Sequence, residues 1–277
     1  MAVIVVTGQT ATGKTALAQR LADEHNGELV NYDSRQVYKY LDIITGKDLP
    51  ASVVHLYDIV EPNEYFSSFE FVEKVRPVIA EIERRGKTPI LVGGTYLYLK
   101  HLLYGFDVKV APDPALREKL NRLSASTLQE KLKEIDRRVF EGMNNSDRNN
   151  PRRLIRKIEI LTGTPQEEVS TTDPIKPTLF VGLRYRKRED LARAIKTRVQ
   201  SRLDTGAIDE VRSLLKRGYT ENDPGLKTIG YNELIKFIKG RLSKEDAIDQ
   251  WINHEIQYAK RQYTFMKRDG NISWREI

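Results

Sequence analysis

The sequence predicts an α/β fold in which helices cover both faces of a parallel β-sheet and a helical insertion interrupts the chain. Short apolar runs alternate with helical stretches in the first hundred residues, which is the pattern of a parallel sheet. After Phe106 the strand pattern stops, and it resumes only at Thr178. We therefore expect residues 1–106 and 177–277 to form one core and residues 107–176 to form a helical domain.

Each predicted strand is a short segment that contains consecutive apolar residues. Residues 2–6 are apolar throughout, as expected for a strand that is buried on both faces. Residues 28–31 and 89–92 give two further strands, and residues 178–183 return the chain to the sheet. Beyond that point we expect only helices, the first of which carries an apolar stripe of Leu191, Ile195, Val199 and Leu203.

Helices connect these strands and fill the insertion. Residues 15–24 and 69–85 are the expected crossover helices, and Gly86 stands where a helix-ending glycine belongs. Within the insertion, Asn150 and Pro151 form a cap and first-turn pair that opens a helix ending before Gly163. Apolar residues also recur there at helical spacing: Leu116, Leu120 and Leu123, then Leu128, Leu132, Ile135 and Val139.

The composition excludes several classes of protein. The chain has 277 residues and no cysteine, which removes disulfide scaffolds, thiol catalysis and cysteine-liganded zinc. With 39% hydrophobic and 31% charged residues it is a globular protein rather than a disordered one. No apolar run reaches the roughly 20 residues of a membrane helix. No basic segment precedes residues 2–6, so we expect no signal peptide and a cytoplasmic location.

The chain is basic, with 46 Lys and Arg against 39 Asp and Glu and a net charge of +7. Such a surplus indicates a polyanionic partner such as nucleic acid, although many basic proteins have none. Residues 148–157 contain five basic residues and no acidic one, and further groups lie at 187–202 and 260–268. Residues 257–262 mix cations, amides and an aromatic, which suits phosphate contacts and base stacking, or a solvated helix face.

A glycine-rich loop carries the strongest chemical signal. It follows the first strand and opens a helix, which is the context of a P-loop. Its backbone N–H groups and the helix N-terminus suit an oxyanion, while Lys14 reaches terminal phosphates and Thr15 can hold Mg²⁺. We therefore expect a P-loop NTPase-like core that binds a polyphosphate through these residues: Gly8, Gln9, Thr10, Ala11, Thr12, Gly13, Lys14 and Thr15.

Two further polar segments follow predicted strands. Asp33 comes directly after the second strand, and Thr95 follows the third after two glycines. The carboxyl ends of parallel strands face the ligand crevice, so both residues are expected near the P-loop ligand. Asp33 could be a metal ligand, a general base or a turn cap. The strand at residues 89–92 lacks the terminal Asp of a Walker B strand, which weakens the ATPase and kinase interpretations.

Together these stretches resemble one family, the tRNA dimethylallyltransferases, and the bacterial type within it. The resemblance extends over essentially the whole chain and its motifs occur in order. They are the P-loop, Asp33-Ser34 with Gln36-Val37-Tyr38, Thr45 and Lys47, His55 with Asp58 and Pro62, residues 91–95 with Leu97 and Tyr98, Asp113-Pro114 with Arg117, Arg153 with Arg156 and Glu159, Arg198, Ile229-Gly230-Tyr231, and residues 259–262 with Thr264.

The resemblance implies a reaction. A dimethylallyl group would pass from dimethylallyl diphosphate to N6 of the adenosine 3′ to the anticodon, at tRNA position thirty-seven, with Mg²⁺ and release of diphosphate. Asp33 matches the family's catalytic Asp and would be the general base. Thr95 and Arg117 match positions near the target nucleotide, and Arg198 matches a diphosphate ligand. Lys14 and the P-loop would stabilise the leaving group.

The resemblance also implies a tRNA-binding surface. The helical insertion corresponds to the domain that clasps the anticodon stem-loop. No feature requires a partner subunit, so we expect a monomer. The residues implied in tRNA binding are Asp33, Ser34, Arg35, Gln36, Arg152, Arg153, Leu154, Ile155, Arg156, Gly230, Tyr231, Lys260, Arg261 and Gln262.

Some residues depart from the family pattern. Ala194 occupies a usual Arg position, and Glu255 and Ile256 replace a typical Thr-Arg pair. Three alternative functions stay open: a P-loop kinase that uses ATP, a basic RNA-binding protein whose P-loop is only a switch, and an isopentenyltransferase acting on free adenylate. The helical insertion argues against the last, because a free nucleotide needs no clasp.

Overall fold

The structure is a computed structural model that describes residues 2–47, 53–106, 108, 110–165 and 174–277. The chain divides into two compact units. The first contains residues 1–103 and 175–277, and the second contains residues 104–174. The sequence analysis placed these boundaries at residues 106 and 177.

A six-stranded sheet forms the centre of the first unit. Its strands are β1 Ile4–Gly8, β2 Gly27–Asn31, β3 Val54–His55, β4 Thr88–Val92, β5 Leu179–Arg184 and β6 Ser273–Glu276. The strand order is β3-β2-β4-β1-β5-β6, and every pairing is parallel. The predicted α/β class and parallel sheet are confirmed. The four predicted strands are β1, β2, β4 and β5.

Two edge strands were not predicted. β3 has only two residues, and β6 consists of polar residues around Trp274 with three of its four residues exposed. Neither is an apolar run, so neither carries the signal of a buried strand. The expectation of helices alone after residue 183 is therefore wrong. β6 forms because it pairs with β5, with Gly182 opposite Trp274.

Eleven helices are present in the described residues. They are α1 Lys14–Glu24, α2 Ser68–Arg84, α3 Tyr96–Tyr104, α4 Pro114–Leu120, α5 Ala125–Gly142, α6 Asn145–Arg148, α7 Pro151–Thr162, α8 Arg188–Asp204, α9 Ala207–Lys216, α10 Tyr231–Ile238 and α11 Lys244–Met266. None of them is both long and apolar enough to cross a membrane.

The first unit has two apolar clusters. One lies between β1, β4 and α1 and includes Val6, Ile90 and Leu21. The other joins α8, α9, α10 and α11 around Trp251, which is fully buried. The predicted stripe of α8 lies in this second cluster: Leu191, Ile195 and Val199 are buried and Leu203 packs against them.

An ion cluster fixes the start of β2. The Glu28 carboxylate accepts hydrogen bonds from Arg85 Nη2 at 2.8 Å and from His55 Nε2 at 2.7 Å, and Lys87 Nζ lies 2.9 Å away. Burial raises the pKa of Glu28, but hydrogen bonds from Lys87, His55 and Arg85 outweigh it and hold the pKa at about 2. The cluster ties β3 and the start of β4 to β2.

The second unit is helical in its described residues and has its own core. Leu128 and Leu132 of α5 pack with Leu154 and Ile158 of α7. Asn150 caps α7 by accepting hydrogen bonds from the N–H groups of its first turn, as the sequence predicted. The predicted stripe of α5 is wrong at Ile135, which is 42% exposed. The helix is interrupted at the next residue, Asp136, where φ is −156°. The helical spacing that the stripe assumes therefore does not continue through this point.

Candidate active site

A pocket of about 410 Å³ opens at the carboxyl ends of β1, β2 and β4. Residues 10–15 of the P-loop form one wall, and Asp33 and Gly93 lie at the strand ends. Helices α8 and α11 complete the wall. Six basic and two acidic side chains line the pocket, so its charge suits an anionic ligand.

The P-loop has the backbone that its glycines permit. Gly8 has a φ of +138° and Gly13 a φ of +74°, values that an L side chain rarely adopts. The Lys14 Nζ donates a hydrogen bond to the Gln9 carbonyl at 2.6 Å. Gln9 itself is buried: its amide donates to the Ala259 carbonyl at 3.3 Å and accepts from the Tyr185 N–H at 3.1 Å. Its side chain therefore supports the loop from behind.

Gln262 of α11 joins the P-loop to the end of β4. Its Oε1 accepts a hydrogen bond from the Thr10 N–H at 2.9 Å, and its Nε2 donates to the Gly94 carbonyl at 3.0 Å. The residue is 7% exposed. The expectation that Gln262 binds tRNA does not fit this arrangement, because both polar ends of its amide are used inside the protein.

Asp33 and Thr95 lie together, as their positions after two neighbouring strands predict. The Arg35 N–H donates to Asp33 Oδ1 at 2.9 Å. Among the described residues, the carboxylate accepts a hydrogen bond at Oδ1 and none at Oδ2. The Thr95 hydroxyl accepts from the Ser34 N–H at 2.9 Å and donates to the Ser34 hydroxyl at 3.1 Å. The Asp33 carboxylate is thus held at one oxygen and available at the other.

Tyr258 of α11 lines the pocket beside Asp33. Burial and then the charge of Asp33 raise the pKa of the Tyr258 phenol, and a hydrogen bond with Thr95 lowers it by less. The phenol is therefore neutral at physiological pH. From the sequence, Tyr258 was expected only as the aromatic of residues 257–262 that suits base stacking, and not as a neighbour of Asp33. Its spacing of four residues from Gln262, which puts both on one helix face, is the signal that could have identified it.

Two arginines of α8 approach the P-loop. Arg198 Nη1 donates to Thr10 Oγ1 at 2.9 Å, which brings this predicted diphosphate ligand to the loop. Arg202, one turn later, pairs with Glu255 of α11 at 3.2 Å and is 6% exposed. Burial and the charge of Arg198 lower the pKa of Arg202 to about 10, although the charge of Glu255 and its hydrogen bond raise it. Arg202 and Glu255 were not predicted, because their contact joins distant parts of the chain.

The loop at residues 41–47 forms the wall opposite α8. Gln36 Nε2 donates to the Gly46 carbonyl at 2.8 Å. The Glu210 carboxylate accepts hydrogen bonds from three successive N–H groups of the loop, including that of Ile43 at 2.6 Å. Lys47, whose side chain is 2% exposed, pairs with Asp58 at 2.6 Å. The loop is thereby anchored by Gln36, which lines the pocket, and by Glu210 and Asp58, which do not.

Two residues predicted to bind tRNA are buried in this region. Tyr231 is 0% exposed, and its hydroxyl donates to Glu210 Oε1 at 2.5 Å. A Cβ on Gly230 would lie 2.6 Å from Ile44 and 2.7 Å from the Trp251 ring. The Tyr231 side chain and the close approach at Gly230 therefore serve the packing of α10, and the expected tRNA contact of these two residues stays a prediction. Lys260 and Arg261 of α11 are exposed, and Arg261 also lines the pocket.

The predicted tRNA-binding residues of the second unit fall into two groups. Leu154 and Ile155 are 0% and 4% exposed and belong to the core, so their side chains serve packing, and the expected tRNA contact of these two residues stays a prediction. Residues one and two positions before Leu154 point outward instead. Arg152 and Arg153 are exposed, and Arg153 pairs with Asp147.

A buried carboxylate orients two other cations of this unit. Glu159, 1% exposed, accepts hydrogen bonds from Arg117 Nε at 2.9 Å and Nη2 at 2.8 Å, and it also pairs with Arg156. Burial raises the pKa of Glu159, but hydrogen bonds from Arg117, the Asp113 N–H and Arg156 outweigh it, so the pKa lies below its usual value. Arg117 and Arg156 stay partly exposed while their guanidinium groups are held in fixed positions.

Metal-binding chemistry at the pocket is limited to a few oxygen ligands. No group of three or more His, Asp or Glu side chains suited to a metal ion occurs within the described ranges. The Thr15 hydroxyl and the Asp33 carboxylate do line the pocket. Hard oxygen ligands of this kind fit Mg²⁺, which usually keeps several waters and binds through one or two protein ligands and substrate phosphates.

Comparison with known proteins gives a consistent result. The sequence model described as IPP transferase matches residues 36–269. A tRNA dimethylallyltransferase of Aquifex aeolicus is 38% identical over 100% of this chain and 92% of its own. A protein of Citrifermentans bemidjiense described as tRNA dimethylallyltransferase 1 is 37% identical over 99% of this chain and 92% of its own.

Solved structures agree. A tRNA isopentenylpyrophosphate transferase of Staphylococcus epidermidis aligns with a TM-score of 0.72 at 34% identity, over 100% of this chain and 93% of that one. A eukaryotic dimethylallyltransferase described as acting on tRNA aligns with a TM-score of 0.79 at 27% identity, over 100% of this chain and 74% of that one. With a family match over most of its length and relatives of this similarity, the chain belongs to the IPP transferase family.

Proposed function

We propose that this protein transfers a dimethylallyl group from dimethylallyl diphosphate to N6 of the adenosine 3′ to the anticodon, at position thirty-seven of tRNA. The observation that carries the proposal is the pocket, where a P-loop, an available aspartate oxygen and Arg198 meet in a chain of this family. A polyphosphate site and a base at one opening are what alkyl transfer from a diphosphate requires.

The P-loop side of the pocket receives the leaving group. As the allylic C–O bond breaks, its electron pair remains on the diphosphate, and the loop N–H groups, Lys14 and Arg198 stabilise that charge. The Thr10 N–H is already bonded to Gln262, so the cradle is formed by the later N–H groups of the loop. Thr15 would hold Mg²⁺, which would offset the diphosphate charge when bound.

Asp33 removes the proton. The adenine N6 forms a bond to the allylic carbon and loses one proton, for which Asp33 Oδ2 is the acceptor. The Arg35 N–H holds the other oxygen at 2.9 Å and so fixes the direction of the carboxylate. Tyr258 supplies a hydroxyl group beside it for orienting the nucleotide, and Thr95 holds Ser34 next to it. The adenosine must leave its stack to reach such a site.

The second unit binds the anticodon stem-loop in this proposal. Arg152 and Arg153 present exposed cations for phosphate contacts. Arg117 and Arg156, held by Glu159, offer pre-oriented guanidinium groups.

The test is a direct assay. The protein is incubated with Mg²⁺, dimethylallyl diphosphate and an unmodified tRNA that has adenosine at position thirty-seven, and the digested nucleosides are weighed. We expect an adenosine that is heavier by one dimethylallyl group, without ATP. ATP consumption with no heavier nucleoside would indicate the kinase instead. Modification of free adenylate but not of tRNA would indicate the free-nucleotide enzyme, and tRNA binding without turnover an RNA-binding switch.

A further inference from the structure

Two arginine side chains of α8 converge on one small space of the pocket. Arg198 and Arg202 are one helical turn apart, and both line the pocket. Gly46 lies opposite them: a Cβ on this residue would come within 2.6 Å of the Nη2 atoms of both arginines. The guanidinium groups thus share a space that a residue without a side chain leaves open.

One carboxylate, that of Glu255, contacts Arg202 directly and is linked to Arg198 through the Thr10 hydroxyl. Glu255 Oε1 accepts from Arg202 Nη1 at 3.2 Å, and its Oε2 accepts from Thr10 Oγ1 at 3.5 Å. The Thr10 hydroxyl in turn accepts from Arg198 Nη1 at 2.9 Å. Two cations therefore face one anion in a largely buried position. Because an uncompensated buried charge is costly, this corner of the pocket favours the entry of a further anion.

We propose that Arg202 is a second arginine ligand of the diphosphate and that Glu255 is a positioning residue, which holds Arg202 and Thr10 in the empty pocket and opposes the bound diphosphate. This inference rests on the proposed function, because it assumes that the pocket receives a diphosphate. Glu255 keeps the two like-charged guanidinium groups together before binding. Its negative charge then weakens the hold on the diphosphate that is left after transfer.

The experiment measures the binding of inorganic diphosphate to the full chain by isothermal titration calorimetry. The variants are Arg202→Met, Glu255→Gln and the double variant, with Arg202→Lys as a milder change. Lys196→Met is the matched control, because Lys196 is an exposed cation on the same helix. A thermal unfolding curve of each variant shows that it is folded.

Three results are expected. Arg202→Met weakens diphosphate binding by about 10- to 100-fold, the value of a charge-assisted hydrogen bond, both alone and in the Glu255→Gln background. Arg202→Lys weakens it by less. Glu255→Gln tightens it by about threefold to tenfold because a repulsive charge is removed. Lys196→Met leaves the dissociation constant unchanged.

A purely structural ion pair would behave differently. Both single variants would then weaken binding to a similar extent, and the double variant would bind as the unaltered protein does, which would overturn the proposal. The unaltered protein also tests the assumption beneath it. If that protein binds no diphosphate at all, the proposed function itself fails, and this outcome is distinct from a wrong role for Arg202.

Discussion

The Gln262 bridge between the P-loop and β4 allows a quantitative test. Replacing Gln262 with Leu keeps the size of the side chain but removes its amide. Two buried backbone groups, the Thr10 N–H and the Gly94 carbonyl, then lose their hydrogen-bonding partner. Each buried group left without a partner costs about 1–3 kcal/mol. We therefore expect the free energy of unfolding to fall by about 2–4 kcal/mol, because the apolar replacement regains part of the loss.

The same substitution separates the two interpretations of Gln262. Urea unfolding followed by circular dichroism gives the stability, and filter binding gives the affinity for tRNA. Gln257→Leu is the control, since Gln257 is exposed on the same helix and its loss is expected to change stability by less than about 0.5 kcal/mol. If Gln262→Leu weakens tRNA binding of the folded protein while its stability is unchanged, the bridge has no structural role and the reasoning is refuted.

Three further predictions concern the proposed base, the tRNA surface and acid stability. Asp33→Asn is expected to lower single-turnover transfer by about 10²–10⁴ with tRNA affinity unchanged, since only the proton acceptor is lost; near-normal turnover would exclude Asp33 as the base. Arg152→Ala is expected to reduce the slope of log affinity against log salt by about one, and an unchanged slope would place this side chain away from phosphate. Glu28→Gln is expected to destabilise the protein by about 1–2 kcal/mol at neutral pH. This is less than the free energy that corresponds to the full pKa shift, because the cations around Glu28 are partly exposed. Since the pKa of Glu28 is depressed from 4.5 to about 2, this difference is complete above pH 4.5 and disappears as the pH falls towards 2; a difference that does not change with pH in urea unfolding would contradict the ion cluster.

Sequence patterns located the parts of the site that local chemistry determines. A P-loop needs only a strand, glycines and a helix start in succession, so its position can be predicted from residues 4–15 alone. Asp33 and Thr95 could be placed near it because parallel strands present their carboxyl ends at one edge. These predictions depend on a local sequence pattern and on a general rule of sheet topology. Both can be applied to the sequence without knowing which distant segments meet.

What could not be predicted depends on contacts between distant segments. The Arg202–Glu255 pair joins α8 to α11, and neither residue belongs to a recognisable motif. Leu154, Ile155 and Tyr231 lie in segments that resemble tRNA-binding motifs, yet they are the inward-facing residues of those segments. A motif identifies a stretch of chain, whereas the helix face of each residue decides whether it meets solvent.

The pairing of β1 with β5 has a consequence for synthesis on the ribosome. The P-loop is translated before β5 and α11, but its strand pairs with residues 179–183, and its Thr10 N–H is bonded by a side chain of α11. Nascent chains released before residue 262 would therefore lack the hydrogen bond between Gln262 and this loop, even though they contain the whole glycine-rich loop. The loop is translated before the segments that complete it, so premature termination yields fragments in which the loop is unfinished rather than truncated proteins that keep it.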